Sequence, residues 1–267
     1  AIDTCGMVSA LSHDEKWTAD DIPDLTGKIA VVTGANSGIG FAATKALVRK
    51  RAHVVMGCRN LEKAEEALAK IREEIPDASA EIIHLDLADL SSVRKFAREF
   101  MDKHSSLHIL LNNAGIMWAP KLKTVDGFEL HFGTNHLGHF ALTGLLIERI
   151  MKTDRSRVVT MSSPGAGGKI NFDDLQWEKS YSRFGAYAQS KLANLLFAYE
   201  LHRRLRAAGS NVLSLCSHPV AAKTNLVSGL RMSPGGGSMK RLRSSMTRML
   251  VFIILFPPGI LLGRSAE

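Results

Sequence analysis

The chain has 267 residues, of which 45% are apolar and 22% charged, with a mean hydropathy of +0.01. That composition excludes wholesale disorder, a collagen-like repeat and a multi-span membrane protein, and the length is enough for one large core. The net charge of +8 is uneven: after Glu200 ten basic residues face the single acid Glu267, so the main body is close to neutral and the last quarter is basic.

Residues 1–25 show no sustained period and no basic-then-apolar leader pattern, and they read as an N-terminal extension. The chain begins with Ala rather than Met, which points to a processed chain or a fragment. From Gly27 onward, short apolar runs alternate with amphipathic stretches. The runs cover 29–32, 53–56, 81–87, 108–111, 157–161 and 212–216. Each is rich in Val, Ile or Leu and barely alternates, as expected of strands covered on both faces. Helical periodicity covers 39–50, 61–74, 90–103, 126–151 and 186–208, with Asn60, Asp89 and Asp126 at N-cap positions. Pro76 ends the second helix and Gly209 follows the fifth. Six strands alternating with helices predict an α/β fold with a doubly wound parallel sheet in a single domain over 26–230. In such a sheet, ligands bind beyond the carboxyl ends of the strands.

The residues just past each apolar run therefore carry the chemistry. The first strand opens into Thr33-Gly34-Ala35-Asn36-Ser37-Gly38-Ile39-Gly40 and then a helix. Gly34 allows a sharp turn, Gly38 lets backbone approach a pyrophosphate, and Gly40 lets helix and strand pack closely. The second strand ends Gly57-Cys58-Arg59-Asn60, with Arg59 where an acid would take a ribose 2′-hydroxyl. That substitution favours the 2′-phosphate of NADP(H). Asp86, at the end of the third strand, is placed to accept from an adenine amino group. Asn112-Asn113-Ala114-Gly115 ends the fourth, where small residues let a cofactor pass. Ser163 ends the fifth and can donate to a substrate oxygen. Tyr187 and Lys191 lie four residues apart on one helix face, 24 residues beyond Ser163. A phenol is a poor base at neutral pH, and a neighbouring ammonium would bring its pKa down toward the working range.

Carried by TGANSGIG, the strand-end Cys58-Arg59, LDL, NNAG, TNHLGHF, MSS, YAQSK and His218-Pro219, the chain resembles the short-chain dehydrogenase/reductases over about residues 17–230, most closely the retinol-dehydrogenase-like branch. The resemblance implies a Rossmann fold and an oxidoreductase acting on CH–OH and C=O groups with NADP(H). It implies Tyr187 as acid/base, Lys191 on the nicotinamide ribose, Ser163 orienting the carbonyl and Asn135 holding a proton-relay water. Cofactor contacts are implied at Gly34, Asn36, Ser37, Gly38, Ile39, Gly40, Arg59, Asp86, Leu87, Asn113, Ala114, Gly115, Tyr187, Lys191, Pro219 and Thr224. The implied substrate is lipophilic, of retinoid, steroid or long-chain aldehyde type. The chain departs from the family pattern at Val220, where Gly usually follows the His-Pro pair, and at Pro164 after Ser163. The family's final strand is not found before Glu267, which points to a truncated chain or a C-terminal region that has drifted. An alternative reading is an NADP(H)-binding redox-sensing or regulatory protein of the same fold with little turnover.

The remaining signals are weaker. Three cysteines without a CxxC pair (Cys5, Cys58, Cys216) argue against a disulfide scaffold or a structural zinc and fit a reducing, cytoplasmic setting. His131, His136 and His139 crowd one helix start, but no carboxylate completes a metal-ligand set and no metal is expected. Gly165–Gly168 reads as a mobile loop beside the site. Residues 231–267 form a basic, then apolar segment, with Lys240, Arg241, Arg243 and Arg248 ahead of an uncharged run over 249–262. Fourteen residues broken by Pro257-Pro258 are too short to span a bilayer, which takes about 20. Residues 240–262 are expected to pack over the substrate cleft as a lid, with peripheral membrane contact as the other reading. Without interleaved aromatics, a nucleic-acid partner is not expected. A homodimer is the remaining partner expectation.

Overall fold

The computed structural model describes residues 18–219. Thr224, Val220 and the 231–267 segment lie outside the described residues. Six strands, β1 (Ile29–Thr33), β2 (His53–Cys58), β3 (Ala80–His84), β4 (Ile109–Asn112), β5 (Arg157–Met161) and β6 (Leu213–Ser217), form one parallel sheet in the order β3-β2-β1-β4-β5-β6. Five helices connect them: α1 (Gly38–Arg49), α2 (Leu61–Glu74), α3 (Leu90–Lys103), α4 (Gly138–Met151) and α5 (Arg183–Ala207).

The near-continuous apolar runs are explained by two core layers. Ala30 and Val32 of β1 enter the layer shared with α1 and α2, while Val31 enters the layer shared with α3 and α4. Side chains alternate across a strand, so covering both faces requires every position to be apolar. Ile22 and Leu25 also sit in the α1/α2 layer, so the core begins ahead of the boundary read at residue 26. The winding reverses between β1 and β4. Their carboxyl ends therefore splay the following loops apart and open a crevice.

Local chemistry sets the helix ends. Asn60 accepts from the Lys63 N–H at 2.8 Å, and Asp89 accepts from the Ser91 N–H at 2.8 Å. After α5, Gly209 takes φ +67° and the Ser210 N–H returns to the Leu205 carbonyl, which closes the helix.

The predicted helix over 126–151 is corrected. Residues 123–129 form a tight turn in which Gly127 has φ +86°, the Thr124 N–H reaches the Phe128 carbonyl, and Lys123 bridges Glu129. Asp126 does not cap its own segment; it accepts from the Leu90 N–H at 2.9 Å and so serves the start of α3. The cap ahead of α4 is Glu129, whose oxygens accept the N–H groups of His131 and Phe132 at 2.9 and 2.7 Å. A π-helical turn, Phe132–Leu137, then leads into α4.

Candidate functional site

The crevice is a cleft of about 810 Å³ at the carboxyl ends of β1, β2, β4 and β5. At one wall lies the glycine loop. Gly34 and Gly38 have φ +65° and +55°, in the left-handed region that favours glycine. A Cβ on Gly40 would lie 2.2 Å from the Gly34 carbonyl oxygen, so this glycine is the packing contact rather than a lining residue. Ser37 makes no side-chain cap bond to α1, which leaves the first-turn N–H groups beside Gly38 and Ile39 without that partner. Asn36, Ser37, Gly38 and Ile39 all line the cleft. Beneath the loop, the Cys58 thiol accepts from the N–H groups of Ala35 and Asn36; burial nevertheless pushes it up to about 11.

Arg59 is exposed on the cleft wall beyond β2, and Asp86 and Leu87 line the same wall. β3 ends at His84, so Asp86 sits in the following loop, with Oδ1 accepting from the Ala88 N–H at 2.9 Å. Sequence reasoning missed the contribution of α2. Lys63, Glu66, Ala67 and Lys70 line the cleft at helical spacing, a periodicity that was present in the sequence but reads equally well as a solvated face.

The floor is the loop after β4. The Thr33 hydroxyl accepts from the N–H groups of Asn113 and Ala114, each at 2.9 Å, and the Asn113 side-chain amide donates to the Thr33 carbonyl at 2.8 Å. This stitches the end of β1 to Asn113-Ala114-Gly115, all of which line the cleft. A Cβ on Gly115 would stand 3.2 Å from Asn135 Oδ1 and 3.3 Å from Lys191 Nζ, a tight contact that the glycine relieves.

On the opposite side stand Ser163, Tyr187 and Lys191, with Pro219 at the rim. Tyr187 and Lys191 share a face of α5, and the Lys191 ammonium lies 5.9 Å from the Tyr187 ring centroid. Lys191 Nζ donates to the Met161 carbonyl at 3.2 Å; burial pushes its pKa down to about 8, so it keeps its proton at pH 7. The expected lowering of the Tyr187 pKa does not hold here. Burial raises it, and a hydrogen bond from the Ser163 hydroxyl opposes that rise only in part. The ammonium is turned to the Met161 carbonyl and over the ring rather than onto the phenol oxygen, so desolvation dominates.

Asn135 is fully buried behind the cleft and does not line it. Its Oδ1 accepts from the Ile116 N–H at 2.8 Å, and its amide donates to the Ile116 carbonyl and to Ser190 Oγ, both at 3.0 Å. Ser190 in turn donates to the Tyr187 carbonyl at 2.7 Å. The three imidazoles of this stretch turn to separate partners. His131 donates from Nδ1 to Glu129, His136 donates to Asn194 Oδ1, and His139 meets Asn135 and Thr33. Among the described residues, two imidazoles and a carboxylate converge instead at His53, Glu81 and His104, where Lys103 takes the second Glu81 oxygen.

Fold and cleft together define a Rossmann-type α/β protein with a glycine-loop crevice at its switch point. The chain belongs to the short chain dehydrogenase family, whose family model matches residues 28–233. It is 46% identical over 203 residues to retinol dehydrogenase 11 of Mus musculus, and 47% identical over 204 residues to retinol dehydrogenase 12 of Homo sapiens. Each match covers 76% of this chain and 64% of the relative. The chain thus spans less than two thirds of the length of these relatives. Among solved structures, it resembles an uncharacterized protein from Mycobacterium Paratuberculosis with a TM-score of 0.75 and 42% identity, covering 91% of this chain and 82% of that one. Among the described residues, no helix is long and apolar enough to cross a membrane.

Proposed function

We propose that this protein is an NADP(H)-dependent oxidoreductase that interconverts a carbonyl and an alcohol on a lipophilic substrate of retinoid, steroid or long-chain aldehyde type. The observation that carries the reading is the sharing of one cleft by the glycine loop and the Ser163–Tyr187–Lys191 group. The names of the relatives, retinol dehydrogenases, support the substrate class.

The residues present fit a dinucleotide. The positive-φ glycines and the first turn of α1 offer N–H groups for a pyrophosphate, Gly115 leaves room beside Lys191, and Arg59 is a cation with no acid at the end of β2. Bound there, the nicotinamide supplies a hydride for reduction and takes one up on oxidation. The protein's own work is orientation and proton handling. Tyr187, its pKa raised by burial, holds its phenolic proton at neutral pH and donates it to the carbonyl oxygen as negative charge develops there. The Ser163 hydroxyl, which has one proton and gives it to Tyr187 in this structure, turns to donate a second hydrogen bond to that oxygen. The Lys191 ammonium, over the Tyr187 ring, supplies a fixed positive charge to the same site. In the oxidative direction Tyr187 must first lose its proton, so alkaline pH favours alcohol oxidation and neutral pH favours carbonyl reduction.

The test is NADPH consumption across carbonyls of graded size and polarity. Tyr187→Phe should still bind NADPH while turnover falls by roughly 10²–10⁴-fold, as for loss of an acid/base group. Arg59→Ala should weaken NADPH by about tenfold with little effect on NADH. Full turnover by Tyr187→Phe, or equal losses for both cofactors in Arg59→Ala, would overturn the corresponding assignment.

A further inference from the structure

His139 belongs to the run read from the sequence as a crowd of histidines, and the proposed chemistry does not use it. It is buried, as are both of its partners. Its Nδ1 lies 2.9 Å from the Asn135 carbonyl oxygen, and its Nε2 lies 2.9 Å from Thr33 Oγ1. These contacts fix the tautomer. A carbonyl oxygen can only accept, so the ring proton is on Nδ1. Burial pushes the imidazole down to about 3, with Lys191 and His136 opposing a second proton, so the ring is neutral and Nε2 is bare. Nε2 must then accept, and the single hydroxyl proton of Thr33 goes to it rather than to the Leu111 carbonyl 3.4 Å away. That leaves the Thr33 oxygen free to accept the N–H groups of Asn113 and Ala114, as observed.

The backbone brings these groups together. The stretch carrying Asn135 is a π-helical turn, closed where the Gly138 N–H reaches back five residues to Gly133. The imidazole of His139, one turn on, donates to the Asn135 carbonyl of this turn. Gly138 allows the turn to press against the wall of the cleft, because a Cβ there would meet the Leu87 carbonyl at 2.4 Å.

We propose that His139 is a positioning residue: it ties the Asn135 carbonyl to the Thr33 hydroxyl and thereby holds the cleft floor and the Tyr187-bearing helix in register. The chain of contacts runs from Asn113 and Ala114 through Thr33, His139, Asn135 and Ser190 to the Tyr187 carbonyl. Its four middle links, Thr33, His139, Asn135 and Ser190, are all buried, so water does not compete for their bonds. The inference deepens the proposed function and rests on it for its kinetic readouts.

Two substitutions separate the halves of the ring. The amide nitrogen of Asn falls near the Nδ1 position, so His139→Asn keeps the donor for Asn135 and loses the acceptor for Thr33. The amide oxygen of Gln reaches toward the Nε2 position, so His139→Gln keeps the acceptor and loses the donor. His139→Gln should bind NADPH as the unaltered protein does, but with kcat lowered by about tenfold or more, since even a small misplacement of a reacting group is costly in rate. His139→Asn should show the reverse split, with the NADPH Kd, measured by nicotinamide fluorescence, raised about threefold to tenfold and kcat changed less. Imidazole ¹⁵N NMR of the unaltered protein should show a single neutral His139 tautomer with protonated Nδ1 and bare Nε2 at pH 7.

A reversed tautomer or a doubly protonated ring would overturn the proposal. So would two variants that melt earlier but keep both Kd and kcat, the pattern of a merely structural histidine. Failure of the unaltered protein to bind NADPH would instead overturn the functional reading, and the NMR measurement, which needs no cofactor, would still decide whether His139 makes this tie.

Discussion

Lys191 shows how a side chain can serve the site at the expense of the fold. Its ammonium is buried, and desolvation takes its pKa from the ordinary 10.5 down to about 8. A base whose folded pKa lies below its unfolded value destabilises the fold wherever both states are charged. The cost is therefore full below pH 8 and disappears as pH rises toward 10.5. Lys191→Met should raise the melting temperature at pH 7, with a stability gain on the order of 2 kcal/mol, while abolishing turnover. The Met161 carbonyl would remain paired through the Asn194 amide. Differential scanning calorimetry from pH 7 to 10.5 checks this, and the gap between variant and unaltered protein should close with rising pH. A variant that melts lower at pH 7 would show that the ammonium's contacts outweigh its burial. At this scale the sequence was informative about identity and less so about balance. The spacing of Tyr187 and Lys191 placed them together, but whether ammonium or desolvation governs the phenol depends on where Nζ points, which spacing does not encode.

Elements were legible where their signal was local. α2 and α3 have the bounds that their caps and periodicity predict, because Asn60 and Asp89 bond within their own first turns. The start of α4 was not legible, because the residue that looked like its cap, Asp126, is used 36 positions away by Leu90. The acid that does the work, Glu129, resembled an ordinary helical residue. Burial opposes its ionisation, but hydrogen bonds from the His131 ring and from the N–H groups of His131 and Phe132 outweigh that and hold its pKa below the usual value. An acid with a lowered folded pKa contributes stability above its unfolded pKa, and this is lost as pH falls through the folded value. Glu129→Gln keeps the shape but cannot accept both N–H groups without presenting its own amide to one of them. It should cost about 1–3 kcal/mol at pH 7, the range for a buried charge-assisted bond. Chemical denaturation at pH 7 and at successively lower pH tests this: the deficit should shrink as pH falls through the lowered folded pKa of the unaltered Glu129. An unchanged midpoint at pH 7 would remove Glu129 from the role of cap.

At the scale of the whole molecule, the two-layer doubly wound sheet was predictable because covering both faces forces a simple pattern: all six strands read as apolar runs. The cleft wall made by α2 was harder to see, since Lys63, Glu66 and Lys70 carry the composition of any solvated surface. Charge is distributed along the chain just as unevenly as apolarity. The body is near neutral, and the basic cluster Lys240, Arg241, Arg243 and Arg248 stands directly ahead of the uncharged run 249–262. If this segment meets a bilayer, each basic residue near an anionic surface contributes about 1 kcal/mol. Co-sedimentation with anionic vesicles should then be salt-sensitive and lost on deleting residues 240–262. A segment that serves the cleft alone should give no sedimentation at any salt, with altered substrate KM in the same deletion.

The thiol under the glycine loop gives this architecture a clock. Cys58 accepts from the backbone N–H groups of Ala35 and Asn36 in the turn ahead of α1, of which Asn36 lines the cleft, and a thiol held near pKa 11 is a sluggish nucleophile even when reached. An alkylating reagent can therefore react with it only when the turn between β1 and α1 lifts away. With Cys5 and Cys216 replaced by Ser, the labelling rate of the protein becomes a measure of how often that turn opens, and a ligand that occupies the loop should slow the reaction in proportion to its occupancy.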